Sequence, residues 1–321
     1  MRKFKKCLIT GISGSGGSYL CEHIIKKNKF IKIYGTFRSN GYKNLLQKKY
    51  KSKIKFFKCD LQIFSDINSI INKIKPDLVF HIASNANVGD SFNNPLIFSK
   101  NNNSITANLL ESLRLNNSKA VIIICSSSEV YGNVEKNKMP IAENCSLKPI
   151  NPYAVTKAYQ DLLSQMYYET FNLKIIITRM FSYTNARRSN LFQTSFAKQI
   201  IECKRGQKKF LSHGNLSSVR TFIDIDDAME AYWLAATKGR IGEIYNICGD
   251  KVISVKNYLS KLIKFSECSI KLKLDKSLLR KKDIFLQKGC CKKFKKHTGW
   301  KPKVDFNASI KKLLNEVGRI Y

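Results

Sequence analysis

Acidic residues are scarce in this chain. There are 23 Asp and Glu against 57 Lys and Arg, a formal charge of +34 at neutral pH. Such a surplus directs attention to nucleic acid, an acidic membrane surface or an anionic small molecule. However, no arginine-rich arm and no RNA-binding aromatic signature accompanies it, and the lysines are spread among Asn, Ile and Phe along the whole chain. That distribution reads as compositional bias, so nucleic acid is not expected as a partner, although the field would still attract an anionic substrate. No stretch approaches the roughly 20 apolar residues that a bilayer crossing requires, and no membrane association is expected. The opening Met1–Lys6 is basic like a signal n-region, yet the apolar run after it, Cys7–Thr10, is short and enters a glycine cluster. It predicts a buried strand rather than an export signal. The ten cysteines contain no CxxC pair, and His23, His81, His213 and His297 supply no zinc-ligand spacing. Free thiols in a reducing, cytoplasmic setting and no metal are therefore expected. There is no strong internal repeat and no long Pro- or Ser-rich linker.

What is present is alternation. Apolar runs at Lys6–Thr10, Ile31–Phe37, Ile54–Lys58, Leu78–Ile82, Ala120–Cys125 and Leu173–Thr178 are rich in Ile, Val and Phe, as strands buried on both faces are. Between them lie helix-like segments at Ser18–Lys29, Ser65–Lys75, Ile105–Leu115 and Tyr153–Phe171, with Pro76 stopping one of them. The order predicts an α/β fold, a doubly wound parallel Rossmann sheet. After Phe181 the pattern shortens: helices at Phe192–Lys204 and Asp226–Thr237, a strand at Ile244–Ile247, then a more charged remainder. Residues 1–180 are expected to bind a dinucleotide and 181–321 to form mainly a smaller α/β substrate-binding lobe, with segments of 215–247 partly returning to the first.

The first strand runs into Gly11-Ile12-Ser13-Gly14-Ser15-Gly16-Gly17 and then a helix. Gly11, Gly14 and Gly17 fit a GxxGxxG spacing, which provides a tight turn, backbone approach to a pyrophosphate and close strand–helix packing. The second strand ends Phe37-Arg38 with no acid for a ribose 2′-hydroxyl; Arg38 favours the 2′-phosphate of NADP over NAD. Asp60 and Leu61 follow the third strand, and Ile82, Ala83 and Ser84 close the fourth, both places where such folds touch the cofactor. The fifth strand ends in Ser126-Ser127-Ser128-Glu129-Val130-Tyr131-Gly132, and Tyr153 and Lys157 follow at the spacing of one helical turn. A neighbouring ammonium would lower the phenol's pKa, making Tyr153 a base near neutral pH.

These features together resemble the extended short-chain dehydrogenase/reductase family. Further segments narrow the resemblance to GDP-mannose 4,6-dehydratases: the run Leu8–Leu20, Asn185-Ala186-Arg187-Arg188, His213-Gly214-Asn215-Leu216, Ser218-Val219-Arg220 and Thr298-Gly299-Trp300-Lys301-Pro302. The similarity covers essentially the whole chain. It implies Ser127, Glu129, Tyr153 and Lys157 as catalytic residues, and Ser13, Ser15, Gly16, Lys157 and Arg188 among the cofactor contacts. Ser127, Asn185, Arg220, Arg280 and Asp283 would contact the substrate. It further implies NADP as cofactor, GDP-mannose as substrate and a homodimer or homotetramer. The chain departs from the family at Tyr183, where dehydratases carry His, and at Ala186 and Lys281, where they carry Pro; these bear on loop shape. The implied reaction yields GDP-4-keto-6-deoxymannose. Two other enzymes of the same type remain as alternatives, a GDP-4-keto-6-deoxymannose reductase, suggested by Asn151-Pro152-Tyr153, and a nucleotide-sugar epimerase. A non-catalytic nucleic-acid binder on this scaffold is a remote further alternative.

Overall fold

A computed structural model describes residues 1–280 and 282–321, so Lys281 lies outside the described residues. The first half alternates strands β1 (Lys6–Thr10), β2 (Lys32–Phe37), β3 (Ile54–Lys58), β4 (Leu78–His81) and β5 (Val121–Ser127) with helices α1 (Ser15–Lys27), α2 (Lys43–Lys49) and α3 (Phe64–Ile74) and the pair α4 (Val88–Asn93) and α5 (Pro95–Leu115). Helix α6 (Pro152–Phe171) leads into β6 (Lys174–Met180). Then follow β7 (Ser182–Tyr183), α7 (Phe192–Lys204), β8 (Phe210–His213), β9 (Val219–Ile223), α8 (Ile225–Lys238) and β10 (Ile244–Ile247). The last stretch holds β11 (Val252–Ser254), α9 (Val255–Ser266), β12 (Lys271–Leu274), β13 (Leu286–Gln287), α10 (Lys292–Thr298) and α11 (Phe306–Ile320).

The main sheet has the order β10-β6-β5-β4-β1-β2-β3, with every pairing parallel. The doubly wound parallel Rossmann sheet expected from the alternation is therefore the fold. The direction of winding reverses between β1 and β4, which opens a crevice at their carboxyl ends. Period-2 alternation divides the core. Ile9, Phe80 and Ile123 pack on α1 and α8, while Leu8, Val79, Ile122 and Ile124 pack on α3 and α5. Helix α3 buries Ile67, Ile70, Ile71 and Ile74 on one stripe, each contributing roughly 1.5–3 kcal/mol. Strand β10 returns to the main sheet beside β6.

The carboxyl-terminal part has its own core, in which α7, α9 and α11 enclose Phe196, Ile200, Tyr258, Leu262, Ile310 and Leu313. Strands β7, β9, β11 and β13 form a small sheet beside it. Among the described residues no helix is long and apolar enough to cross a membrane.

Candidate active site

The crevice continues under the small sheet as a cavity of about 1030 Å³. Of the residues singled out in the sequence, Gly11, Ser13, Gly14, Ser15, Gly16, Gly17, Arg38, Asp60, Leu61, Ile82, Ala83 and Ser84 line it. So do Ser127, Glu129, Tyr153, Lys157, Arg188, Arg220, Arg280 and Asp283. Asn185 does not line it. It is fully buried, its Oδ1 accepting from the Arg187 amide at 3.0 Å and its carbonyl from Thr194 Oγ1 at 2.8 Å. It braces the wall from behind.

The β1–α1 turn fits a dinucleotide pyrophosphate. Gly11 has φ +66, and a Cβ there would stand 2.9 Å from Ala83 Cα. A Cβ on Gly17 would stand 2.4 Å from the Gly11 carbonyl oxygen. Helix α1 begins at Gly14 with no side-chain cap, so no side chain occupies its first-turn amides. Arg38 lies in the wall, its Nη1 donating to Asn101 Oδ1 at 3.1 Å. Asn102 locks the loop after β4: its Oδ1 accepts from Asn85 N at 2.8 Å, and its Nδ2 donates to Asn85 O at 3.0 Å and to Thr156 Oγ1 at 2.9 Å. These α5 asparagines were not foreseen; their signal was the polar run Asn101-Asn102-Asn103 inside a helix.

Strand β5 delivers Ser127, which caps a tight 3₁₀ turn by accepting the Glu129 amide at 3.2 Å. Gln287, on β13, fastens that turn to the small sheet: its Nε2 donates to Ser128 O at 3.2 Å and its Oε1 accepts from Ser128 Oγ at 3.3 Å. Nothing in the sequence around Gln287 signalled this. Helix α6 sets Tyr153 and Lys157 on one face. Lys157 Nζ donates to Cys125 O at 2.8 Å and Gln160 Oε1 at 2.9 Å, and lies 6.0 Å from the Tyr153 ring centroid.

Burial dominates the electrostatics. It pushes the Tyr153 phenol up to about 12, against the pull of the Arg188 charge and a hydrogen bond with Ser127; the Glu129 charge adds to the rise. The expected lowering by Lys157 is thus not what the chain alone produces, because desolvation of a fully enclosed phenol outweighs its neighbours. Burial also lowers Lys157 to about 8. His81, enclosed between Thr10 and Thr106 hydroxyls, is held down to about 3 by burial and then by the Lys157 charge.

The two adjacent arginines divide. Arg188 Nη2 donates to Ala86 O and Nε to Asn190 Oδ1, within the cavity wall. Arg187 turns away to Ser18 Oγ at 2.9 Å and Glu22 Oε2 at 2.7 Å, clamping α1. Tyr183 also lines the cavity. In the small sheet Arg220 binds its own strand and the Phe285 carbonyl, 3.7 Å from Asp283 Oδ1. Asp283 Oδ2 accepts from Asn215 Nδ2 at 3.1 Å and Ser218 Oγ at 3.0 Å, and Arg280 stands 3.5 Å from its Oδ1. Among the described residues no cluster of three or more His, Cys, Asp or Glu is arranged to hold a metal ion.

Known proteins resemble this arrangement throughout. A GDP-6-deoxy-D-mannose reductase of Pseudomonas aeruginosa is 27% identical over 75% of this chain and 80% of its own length. A dTDP-D-glucose 4,6-dehydratase of Dictyostelium discoideum is 32% identical over 82% of this chain and 62% of its own length. GDP-mannose 4,6 dehydratase 1 of Arabidopsis thaliana is 26% identical over 97% and 89%. The crystal structure of UDP-glucuronic acid 4-epimerase from Bacillus cereus, in complex with UDP-glucuronic acid and NAD, matches with a TM-score of 0.87 at 25% identity. It covers 98% of this chain and all of the epimerase chain. The family profile described as GDP-mannose 4,6 dehydratase matches residues 8–313. The chain belongs to the GDP-mannose 4,6 dehydratase family, among the nucleotide-sugar dehydratases and epimerases built on the Rossmann fold.

Proposed function

We propose that this protein is an NADP-dependent GDP-mannose 4,6-dehydratase. The observation that carries the reading is the placing of Glu129. Hydride transfer at a single carbon needs only Ser127, Tyr153 and Lys157, yet a carboxylate lines the same cavity two residues after Ser127. A nicotinamide dinucleotide held by the β1–α1 turn, Arg38 and Arg188 would supply reversible hydride chemistry for sugar C4 and C6. Tyr153 takes the 4-hydroxyl proton, with Ser127 bonded to the same oxygen. The 4-ketone then acidifies C5. Glu129 takes the C5 proton, the electron pair forms the C5–C6 double bond, and the C6–O bond breaks, its oxygen leaving as water with the proton that Glu129 supplies. As C6 is reduced, the electron pair of the double bond returns to C5, which takes the proton that Tyr153 removed from the 4-hydroxyl, and Tyr153 and Glu129 are both restored. Arg220 neutralises the diphosphate, and Arg280 and Asp283 hold the nucleotide ribose. Arg38 supports NADP, since a guanidinium pairs with a 2′-phosphate and the end of β2 has no acid.

On this reading residues 1–180 hold the cofactor and 181–321 mainly the nucleotide sugar. The setting is the cytoplasm, where ten free thiols stay reduced. Two copies pair through α6, whose exposed Val155, Leu162 and Met166 share one face.

The test is incubation with GDP-mannose and catalytic NADP⁺, followed by mass spectrometry. Loss of one water without net NADPH is the expected result. An unchanged GDP-mannose, with NADPH consumed once the 4-keto-6-deoxy sugar nucleotide is supplied, would replace this reading with the reductase.

A further inference from the structure

Asn151 lies between the catalytic turn and the helix that carries Tyr153 and Lys157, and only 6% of it is exposed. Its side chain is divided between two tasks. The Oδ1 atom accepts from the Ala154 amide at 2.8 Å and so caps α6. The Nδ2 atom donates to Glu129 Oε2 at 2.9 Å. Capping alone does not call for an amide, since Ser, Thr and Asp cap a helix comparably. Asparagine alone of the strong caps offers an acceptor to the helix and, at the same reach, a donor to a carboxylate.

The Glu129 backbone is already tied to Ser127 Oγ, and Gln287 holds Ser128 from the other side. The remaining freedom of Glu129 is in its own side-chain torsions, and Asn151 removes it. We infer that Asn151 is a positioning residue for Glu129. By holding Oε2 it presents Oε1 to the substrate, and it couples that carboxylate to the helix carrying the phenol. The inference rests on the acid/base reading of Glu129 given above. Displacement of an acid/base group by about 1 Å costs on the order of 100-fold in rate, so the bond is large in kinetic terms though small in stability.

Two variants separate positioning from capping. Asn151→Ser keeps the cap but is too short to reach Glu129, and Asn151→Asp keeps the cap and sets a carboxylate against a carboxylate. Asn151→Ser is expected to melt close to the wild type, and Asn151→Asp lower, since the carboxylate pair repels. With GDP-mannose and NADP⁺, kcat for water loss should fall about 10- to 100-fold in Asn151→Ser and further in Asn151→Asp, with KM nearly unchanged. Oxidation at C4 does not use Glu129, so reduced-cofactor absorbance should build up during turnover in the variants and not in the wild type. A wild-type kcat in Asn151→Ser, or a loss of kcat without that build-up, overturns the inference. Crystal structures of the substrate-free wild type and Asn151→Ser decide it independently of the reaction. The Glu129 carboxylate should face residue 151 in the first and be displaced in the second; an unmoved carboxylate refutes the positioning role. If the wild type leaves GDP-mannose intact, the functional reading fails, while the two crystal structures still settle what Asn151 does to Glu129.

Discussion

Lys157 is an ammonium enclosed by protein, and its cost has a sign that can be followed with pH. Burial lowers it to about 8, whereas an unfolded lysine titrates near 10.4. Between those values the unfolded chain binds more protons than the native one, so stability rises with pH across that window. Relative to Lys157→Met, the wild type should gain roughly 3 kcal/mol from below pH 8 to above pH 10.4 in urea unfolding. A flat difference would mean that the ammonium is better solvated than its surroundings suggest. Arg38 carries a separate prediction. Arg38→Asp removes the partner of a 2′-phosphate and supplies one for a 2′-hydroxyl. The preference for NADP over NAD should fall by about 10- to 100-fold, as expected for a charged hydrogen bond. Equal preference in the wild type would contradict the NADP reading. That Ser127, Tyr153 and Lys157 line one cavity was legible, because they lie by local spacing at the end of β5 and on one face of α6; Glu129 came from the resemblance. The environment of Tyr153 was not legible: the phenol is raised by enclosure from distant segments, which no spacing records.

At the scale of elements, the β1–α1 turn is the most constrained piece of backbone. Gly17→Ala would drive a methyl group to 2.4 Å from a carbonyl oxygen that the helix cannot move away from. Loss of dinucleotide binding by titration calorimetry is expected, with a lowered melting temperature; undiminished binding would show that the turn can open. Strands β1 and β3, α7 and β10 stand where the hydrophobic pattern puts them. Helix α5 runs ten residues further toward the amino terminus than its apolar pattern. That extension carries Asn101 and Asn102, whose polar side chains face the cavity wall and so break the apolar stripe from which a helix is read. Strands β7, β11 and β13 hold two or three residues each, too few to show a period.

For the whole molecule, the unpartnered side of α6 matters most. Val155, Leu162 and Met166 are 53%, 60% and 41% exposed, more than a lone surface helix needs to leave uncovered. Sedimentation should show a dimer that Leu162→Glu together with Met166→Glu converts to a monomer of unchanged circular dichroism. A monomeric wild type at micromolar concentration would end that proposal. The sequence by itself determined the doubly wound parallel sheet and the glycine turn, because each follows from periodicity or from contacts between near neighbours in the chain. Only the tertiary structure decided that Arg187 turns away to clamp α1, that Asn185 lies behind the wall, and that Gln287 and Asn151 grip the Ser127–Glu129 turn from either side. Those choices depend on where segments far apart in the chain are brought together, and a side chain's partner across such a distance leaves no mark on the residues beside it.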